Sequence, residues 1–479
     1  MELAGAASVG DIVAIADGEP VVVAPQVLRT LRNVHQQAEE VSRSTPVYGR
    51  TTGVGANRST TVERDREHGL RLLRSHAVDA GPSVPEREIR AMLGVRLNQL
   101  CHPGSGIDPD ILEALARMLN EDALPTIRRF GSIGTGDLTA LASTALTLIG
   151  ERPATRPLTR MAPWGADSAL PFLSSSALTL GQACLVASQL QQLARAAEVI
   201  YAFSFTALGG NPSSWSPEAA AAAGSPSAAA VATRLRAALL PLTTPPRRIQ
   251  DPFGLRVFSL THGEVIAAIE RLDGQLTSLL QRAQENPLFG VQQVVHHGAF
   301  YQAGLGLSLD ATNAALAQAS TNTFARIRMS HEPSQTGQPA FLAGPPAGAS
   351  GTMMVEYVAA STIAEIRNAA EPASTGTLSL SRGAEEDAPF TAQSLKQLQR
   401  TARAQEVLLS CELVVAIRLL RIEGLIPALR PQMSLAYRAV AHLPDELTDR
   451  DLREDLDLAG ASLSQLSFES GPAGGPRCR

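Results

Sequence analysis

The chain has 479 residues, of which 44% are hydrophobic, and its formal net charge is -5. Mild acidity without a basic tract argues against nucleic acid as a main partner, because neutralising phosphates requires clustered Lys and Arg. A chain of this length can bury a large core, and no apolar run approaches the roughly 18 residues of a membrane span.

Neither the N-terminus nor the cysteines form a recognisable motif. Residues 1–16 have neither the basic start nor the apolar core of a signal peptide. Cys101, Cys184, Cys411 and Cys478 are scattered without a CxxC spacing, which favours free thiols in a reducing compartment. We therefore expect a soluble, cytoplasmic protein that holds no metal.

The first elements are predicted to be short. An apolar stretch (residues 11–16), a turn at Asp17-Gly18 and the β-branched run 21–23 predict small strands or a hairpin, followed by a helix from about Pro25. The Gly- and Thr-rich residues 48–60 predict a loop. From about Asp65 onward the periodicity becomes helical.

The middle of the chain predicts long helices. Ala-, Leu- and Gln-rich stretches with helical spacing cover residues 176–203, 255–284, 306–328 and 391–425, and Pro- and Gly-rich breaks separate them. Heptads are not sustained, so a helical bundle is favoured over an extended coiled coil. Residues 471–479 are predicted to be a frayed, disordered tail. The fold class is mainly α, organised around a long-helix bundle.

Several short motifs follow one another in a fixed order. They are VYGRTTGVG (47–55), LRSHA (73–77), RLNQLCHPGSG (96–106), GSIGTGDL (131–138), QDPFGLR (250–256), ENPL (285–288), HGAF (297–300) and EED (385–387). Together they resemble the histidine/aromatic amino acid ammonia-lyase family over about residues 8–400.

The resemblance implies a fumarase/aspartase-like long-helix bundle with a small mixed N-terminal part. On this basis we predict an N-terminal part (1–200) with the tyrosine loop and the prosthetic-group segment. A central and C-terminal helical bundle (201–470) follows. The family's architecture also implies a homotetramer whose active sites draw residues from three subunits.

The family's electrophile is a methylidene-imidazolone ring that forms from an Ala-Ser-Gly triplet. Here the corresponding GSIGTGDL is one residue shorter and has Thr135 in place of the serine, so Gly134-Thr135-Gly136 is the best candidate triplet. We expect no ring and no other cofactor. The alternative is a variant ring, in which the threonine would give a more hindered, less electrophilic ethylidene. A purely structural interpretation is a Gly-rich turn, with Asp137 at the start of the next helix.

The resemblance also assigns roles to individual positions. Tyr48 matches the tyrosine that moves the β-proton, and Glu386 matches the glutamate near the substrate amine. The remaining predicted contacts to substrate are His76, Ser174, Gln250, Phe253, Arg256 and Phe300, with Arg256 matching the arginine that grips a carboxylate.

Some matching positions have lost the family residue. Ser174 stands where the family has an asparagine, Phe253 where it has a second tyrosine, and Ala299 and Ala388 where it has an asparagine and a histidine. The proton-moving and carboxylate-binding residues are kept, whereas the losses affect the electrophile.

Each kept residue also has a structural interpretation. A tyrosine in a Gly-rich loop, an arginine after a proline turn and a histidine on a helix face are often packing residues. The adjacent His296 and His297 do not indicate a metal site, because neighbouring histidines on one element rarely share one ion.

Three functions remain open. The leading hypothesis is an enzyme that works without the ring and uses Tyr48 as general acid/base for elimination, isomerisation or conjugate addition and cyclisation in specialised metabolism. Its substrate would be a small molecule with a carboxylate or acyl group. The alternatives are a histidine or aromatic amino acid ammonia-lyase or aminomutase with a variant ring, and a non-catalytic binding homologue.

Overall fold

The computed structural model describes residues 1–62, 66–162, 164, 166–290 and 293–468, so the predicted tail at 471–479 and Cys478 lie outside the described residues. The described chain is mainly helical, as predicted. Its helices are α1 (Val9–Ala16), α2 (Pro25–Ser44), α3 (Arg66–His76), α4 (Glu86–Leu100), α5 (Asp110–Asn120), α6 (Leu138–Leu148), α7 (Ala166–Leu173), α8 (Ala177–Ala207), α9 (Pro217–Ala222), α10 (Pro226–Leu239), α11 (Phe253–Arg256), α12 (Phe258–Leu280), α13 (Ala303–His331), α14 (Pro333–Thr336), α15 (Met353–Ala369), α16 (Thr391–Ile422), α17 (Pro431–Arg438) and α18 (Arg453–Ser462).

The strands are short and form three two-stranded sheets. They are β1 (Glu2–Leu3), β2 (Val22–Val23), β3 (Ala80–Ser83), β4 (Arg128–Phe130), β5 (Leu288–Gly290) and β6 (Gln293–Val295). β1 pairs with β2 in parallel, whereas β3–β4 and β5–β6 are antiparallel.

The predicted strand or hairpin before Pro25 is partly wrong. Residues 9–16 form helix α1, because the Ser8 hydroxyl accepts a hydrogen bond from the Asp11 amide while the Asp11 carboxylate accepts one from the Ser8 amide. This capping box outweighs the short apolar pattern that suggested a strand. The run 21–23 does form a strand, but it pairs in parallel with residues 2–3.

The four predicted long helices are confirmed as α8, α12, α13 and α16. α8 begins one residue after the predicted start and ends four residues later than predicted. One stretch of the described residues, 167–207, is long and apolar enough to cross a membrane, but 89% of its apolar window is buried inside the protein. Such burial is typical of a core helix.

The chain forms two compact units of interleaved segments. Unit 1 contains Met1–Ser188, Arg271–Asp310 and Pro372–Lys396, and unit 2 contains Gln189–Glu270, Ala311–Glu371 and the chain from Gln397 onward. The predicted parts 1–200 and 201–470 stay a prediction. Helices α8, α12, α13 and α16 each contain residues of both units.

Unit 1 is organised around a buried arginine. Arg96 of α4 is fully buried and its Nη1 donates to Glu285 Oε1 at 2.7 Å. Its Nε donates to the Phe172 carbonyl at 3.1 Å, and its Nη2 donates to the Pro171 carbonyl. The guanidinium thereby fixes the end of α7 and the segment before β5 to the same face of α4.

Unit 2 has its own buried ion pair. Arg326 of α13 donates through Nε and Nη2 to the two carboxylate oxygens of Glu412 on α16, at 2.6 and 2.8 Å. Ser204 of α8 donates to the same carboxylate at 2.7 Å, so three long helices meet at one anion. The Tyr201 and Phe258 rings stack beside the pair with centroids 3.8 Å apart.

Among the described residues, Cys101, Cys184 and Cys411 are free and buried. Burial raises the pKa of the Cys101 and Cys411 thiols to about 12. These thiols are therefore protonated at neutral pH and behave as small apolar side chains.

Replacing Arg96 by Gln is expected to destabilise the protein strongly. The change leaves the Glu285 carboxylate buried without its cation, which costs about 3–5 kcal/mol of unfolding free energy. Urea denaturation followed by circular dichroism measures the loss. The control is Arg87→Gln, because Arg87 and its partner Asp17 are 52% and 53% exposed. We expect the control to cost about 0–1 kcal/mol. Equal losses in the two variants would contradict the central role of Arg96.

Candidate active site

Unit 1 contains a cavity of about 830 Å³. This volume lies within the range of small-molecule sites. The cavity is lined by one tyrosine-bearing loop, the Gly-rich loop before α6, the end of α7 with the segment that joins it to α8, the segment after β6 and the loop before α16. Its lining residues are Pro46, Tyr48, Thr52, Gly55, Arg58, Thr135, Gly136, Leu138, Leu170, Ser174, Ser175, Asn286, His296, Phe300, Tyr301, Ala384, Glu385, Glu386 and Asp387.

The cavity brings together several residues singled out from the sequence. Both catalytic candidates, Tyr48 and Glu386, line it, as do the predicted substrate contacts Ser174 and Phe300. Thr135 and Gly136 of the altered triplet also line it, and Gly134 directly precedes them in the chain. Segments that are far apart in the sequence therefore meet where the motifs predicted a site.

Four other predicted contacts are not among the lining residues. His76 turns its Nδ1 to the Leu72 carbonyl at 2.9 Å. Gln250, Phe253 and Arg256 belong to unit 2, where the Arg256 guanidinium lies 4.7 Å from the centre of the Phe253 ring and Nε donates to the Asp251 carbonyl at 3.1 Å. Phe253 itself is 63% exposed. Their roles towards a substrate stay predictions.

Tyr48 is held at both ends. Its phenol oxygen accepts a hydrogen bond from the Gly55 amide at 2.8 Å, and its own amide donates to His296 Nε2 at 3.3 Å. Burial raises the pKa of the phenol above its usual value, and the Glu385 carboxylate adds to this effect, while the Gly55 hydrogen bond and Arg58 act against it. At neutral pH the phenol therefore carries its proton.

The loop around Ser381 supports the tyrosine loop next to Gly55, whose amide contacts the Tyr48 phenol. The Ala56 amide donates to the Ser381 hydroxyl at 2.9 Å, and Leu380 pairs with Glu385 through the Leu380 amide at 2.8 Å. Gly55 needs to be glycine here, because its φ is +56° and a Cβ would lie 2.8 Å from Ser381 Oγ. The loop that carries the three acidic residues thus also positions the tyrosine loop.

The triplet Gly134-Thr135-Gly136 differs in sequence from the Ala-Ser-Gly triplet that forms the family's ring, and its backbone favours glycine at two positions. Gly134 has a φ of +94°, and a Cβ on it would lie 2.8 Å from the Thr391 amide nitrogen and 2.9 Å from Pro389 Cγ. An alanine at this position would therefore need the backbone to move. Gly136 has a φ of +110°, which also favours glycine.

The floor of the cavity is polar and internally bonded. Ser174 Oγ accepts from the Asn286 amide at 3.0 Å, and Ser175 Oγ donates to Gln99 Oε1 at 2.6 Å. Asp137 lies beneath it, and its carboxylate accepts from the Thr179 amide at 2.7 Å and from its hydroxyl at 3.0 Å. Asp137 precedes α6 as predicted, but its side chain caps α8 instead. Burial raises the pKa of this carboxyl.

Eight polar lining residues were not among the predicted site residues: Thr52, Arg58, Ser175, Asn286, His296, Tyr301, Glu385 and Asp387. Tyr301 directly follows the predicted Phe300, so adjacency to a motif was the available signal. His296 was weighed only as a metal ligand, and none of the described residues form a group of three or more His, Cys, Asp or Glu suited to a metal ion. Asn286 lies inside the ENPL motif and Arg58 lies three residues after VYGRTTGVG, and neither gave a separate signal.

Comparisons with known proteins agree on one family. The family description "aromatic amino acid lyase" matches residues 7–442. A histidine ammonia-lyase from Geobacillus thermodenitrificans is 30% identical, with 96% of each chain covered. The crystal structure of a tyrosine aminomutase from Streptomyces globisporus superposes with a TM-score of 0.91 at 25% identity, covering 98% of this chain and 97% of that one. Ergothionase from Treponema denticola shares the fold, with a TM-score of 0.90 at 21% identity over 98% and 99% of the two chains.

Replacing Ser381 by Ala is expected to raise the pKa of Tyr48 further. The change removes the acceptor for the Ala56 amide and loosens the neighbouring Gly55 amide, whose hydrogen bond lowers that pKa. We expect an increase of about one pH unit or less, since one hydrogen bond to a charged group is weakened. Ultraviolet titration of the phenols, minus the same titration with Tyr48→Phe, isolates the group.

Two further variants separate hydrogen bonding from backbone strain. Ser381 has a φ of +53°. Glycine removes both the acceptor and the strain, whereas asparagine keeps an acceptor and tolerates this conformation. We expect Ser381→Gly to raise the pKa as Ala does and Ser381→Asn to restore it. No rise with either Ala or Gly would show that the Ser381 hydrogen bond does not hold the Gly55 amide in place.

Proposed function

Because the chain belongs to the aromatic amino acid lyase family, we propose that it is an enzyme of the lyase or isomerase type that works without the family's prosthetic ring. Tyr48 would serve as its general acid/base. The reactions open to it are elimination, isomerisation, and conjugate addition with cyclisation.

One observation carries this proposal. The Tyr48 phenol lines the same cavity as Thr135 and Gly136, where the chain has a threonine in place of the serine from which the family's ring forms. The proton-moving residue is thus kept at a place where the source of the electrophile is altered. An enzyme with this arrangement needs a substrate that stabilises a carbanion by its own structure.

The protonation state of Tyr48 favours an acid role in the first step. A phenol with a raised pKa holds its proton at neutral pH, and the Gly55 amide already occupies one lone pair of its oxygen. In a conjugate addition the phenol can give this proton to the carbanion that forms on the substrate when its own nucleophile adds, and the phenolate then takes the proton that the nucleophile loses. Glu386, in the same cavity, would contact a polar group of the substrate.

The carboxylate-binding residues would come from another subunit. Gln250, Phe253 and Arg256 line no part of the cavity, and Phe253 and Ile249 beside them are 63% and 96% exposed. A homotetramer would cover such exposed apolar side chains. We propose that this loop of a neighbouring subunit completes the cavity around a small substrate with a carboxylate or acyl group. Specialised metabolism in the cytoplasm is the proposed setting.

The second candidate is an ammonia-lyase or aminomutase with a variant ring from Gly134-Thr135-Gly136. The specific observation in its favour is the 30% identity to a histidine ammonia-lyase over nearly the whole of both chains. Ligand binding without turnover would instead favour a non-catalytic binding homologue.

Intact mass separates the first two candidates. Ring formation removes two water molecules from the chain, so we expect the purified protein to have the mass of its unmodified sequence. The control is Thr135→Ala, whose mass should differ from the wild type only by the change of side chain. A wild-type mass lower by two water molecules, absent in the control, would refute the ring-free enzyme.

Replacing Tyr48 by Phe should abolish turnover, because the only change is the loss of the proton-moving hydroxyl. The measurement is deuterium incorporation at carbon by NMR in D2O, over a panel of aromatic α,β-unsaturated and keto acids, whose carbanions are stabilised by a neighbouring carbonyl group. The wild-type rate should stay level through neutral pH and fall only above about pH 10, since the protonated phenol is needed and its pKa is raised from 10.0. The control is Tyr357→Phe, since Tyr357 is 64% exposed and lies outside the cavity lining. Equal rates for Tyr48→Phe and the wild type would remove the role of Tyr48.

A further inference from the structure

The cavity contains a second phenol whose hydrogen bonding is opposite to that of Tyr48. The Tyr48 oxygen accepts from the Gly55 amide at 2.8 Å, and no group among the described residues accepts its proton in a hydrogen bond. The Tyr301 hydroxyl, in contrast, donates its proton to Asp387 Oδ2 at 2.7 Å. Tyr48 therefore presents a hydrogen-bond donor to the cavity, and Tyr301 presents the lone pairs of an acceptor.

The local structure fixes this orientation of Tyr301. The other oxygen of Asp387, Oδ1, accepts from the Ala388 amide at 2.8 Å, so the carboxylate is held in place from behind. The Tyr301 amide donates to the Gly298 carbonyl at 2.9 Å just before α13 begins. A hydrogen bond from a hydroxyl to a carboxylate is among the strong ones. The hydroxyl proton of Tyr301 is thus held in the hydrogen bond to Asp387, and the lone pairs of the hydroxyl oxygen are what Tyr301 offers to a ligand.

We propose that Tyr301, oriented by Asp387, is a specificity-determining residue that accepts a hydrogen bond from a donor group on the substrate. The orientation of the substrate relative to a reacting Tyr48 rests on the proposed function. The acceptor role of Tyr301 does not depend on it.

The charges around Tyr301 select the kind of donor. Three acidic residues line the cavity: Glu385, Glu386 and Asp387. Among the described lining residues, the one arginine or lysine is Arg58. A protonated amine offers three N–H donors and a positive charge that these carboxylates favour. A hydroxyl offers one donor and no charge. The group that Tyr301 receives is therefore an ammonium group, in the same cavity as the donating phenol of Tyr48.

The test compares probes with and without an amine. The two matched pairs are L-phenylalanine with 3-phenylpropanoate, and L-histidine with 3-(imidazol-4-yl)propanoate, each titrated calorimetrically into the full-length protein. We expect the wild type to bind the amine-bearing member of at least one pair more tightly. Tyr301→Phe should weaken that member by about tenfold, the effect of one hydrogen bond to a charged group, and leave its amine-free partner unchanged.

A pH series and a control variant complete the test. In the wild type, affinity for the amine-bearing probe should fall as its ammonium group loses its proton with rising pH. Tyr357→Phe should bind all probes as the wild type does. Equal weakening of both members of a pair by Tyr301→Phe, no weakening, or no wild-type preference for the amine overturns the proposal, and so does failure to bind any of the four probes.

The two proposals fail separately. If Tyr48→Phe keeps turnover while Tyr301→Phe loses the preference for the amine, the acceptor role stands and the acid/base role of Tyr48 falls. If Tyr48→Phe loses turnover while Tyr301→Phe keeps the preference, the acceptor role of Tyr301 is overturned alone.

Discussion

The cavity depends on one buried guanidinium. Arg96 is completely buried, and its bonds to Glu285 and to the Phe172 carbonyl join α4 to two segments that continue into the cavity wall. Ser174 follows Phe172 by two residues, and Asn286 follows Glu285 directly. Because Arg has five donors in a rigid planar fork, it can hold several acceptors at fixed angles. The hydrogen bonds of Arg96 thus help to place Ser174 and Asn286, although Arg96 is not itself a lining residue.

The sequence predicted the helices well because their signal is local. Helical spacing over twenty or more residues identifies α8, α12, α13 and α16 almost to their ends. Local patterns did not predict the structure where the hydrogen bonds of a few side chains determine it. The capping box at Ser8 and Asp11 turned an apolar stretch into helix α1. The carboxylate of Asp137 bonds to Thr179, 42 residues further along, and no local rule at a helix start predicts such a long-range cap.

The candidate site was predictable where a residue stands inside a motif. Tyr48, Thr135, Phe300 and Glu386 meet in one cavity, as the order of the motifs implied. Tyr301 could not be inferred in the same way, because its importance lies in where its proton points, and that depends on the position of Asp387, 86 residues away. Hydrogen-bond direction is a property of the folded chain, so residue types alone do not give it.

The proposed ring-free chemistry and the different hydrogen-bond roles of the two phenols are related in chemical terms. A strong electrophile can activate a poorly acidic substrate whatever its orientation, because the covalent adduct itself positions the reacting bond. Without such an adduct, only non-covalent contacts can fix which carbon faces the acid. A donor at Tyr48 and an acceptor at Tyr301 distinguish the two ends of a substrate, since a reversed substrate would place donor against donor and acceptor against acceptor. Each mismatch leaves a polar group without a partner, which costs more than a good hydrogen bond contributes. The polarity of the cavity can therefore supply the orientation that a covalent bond supplies in an enzyme with a ring.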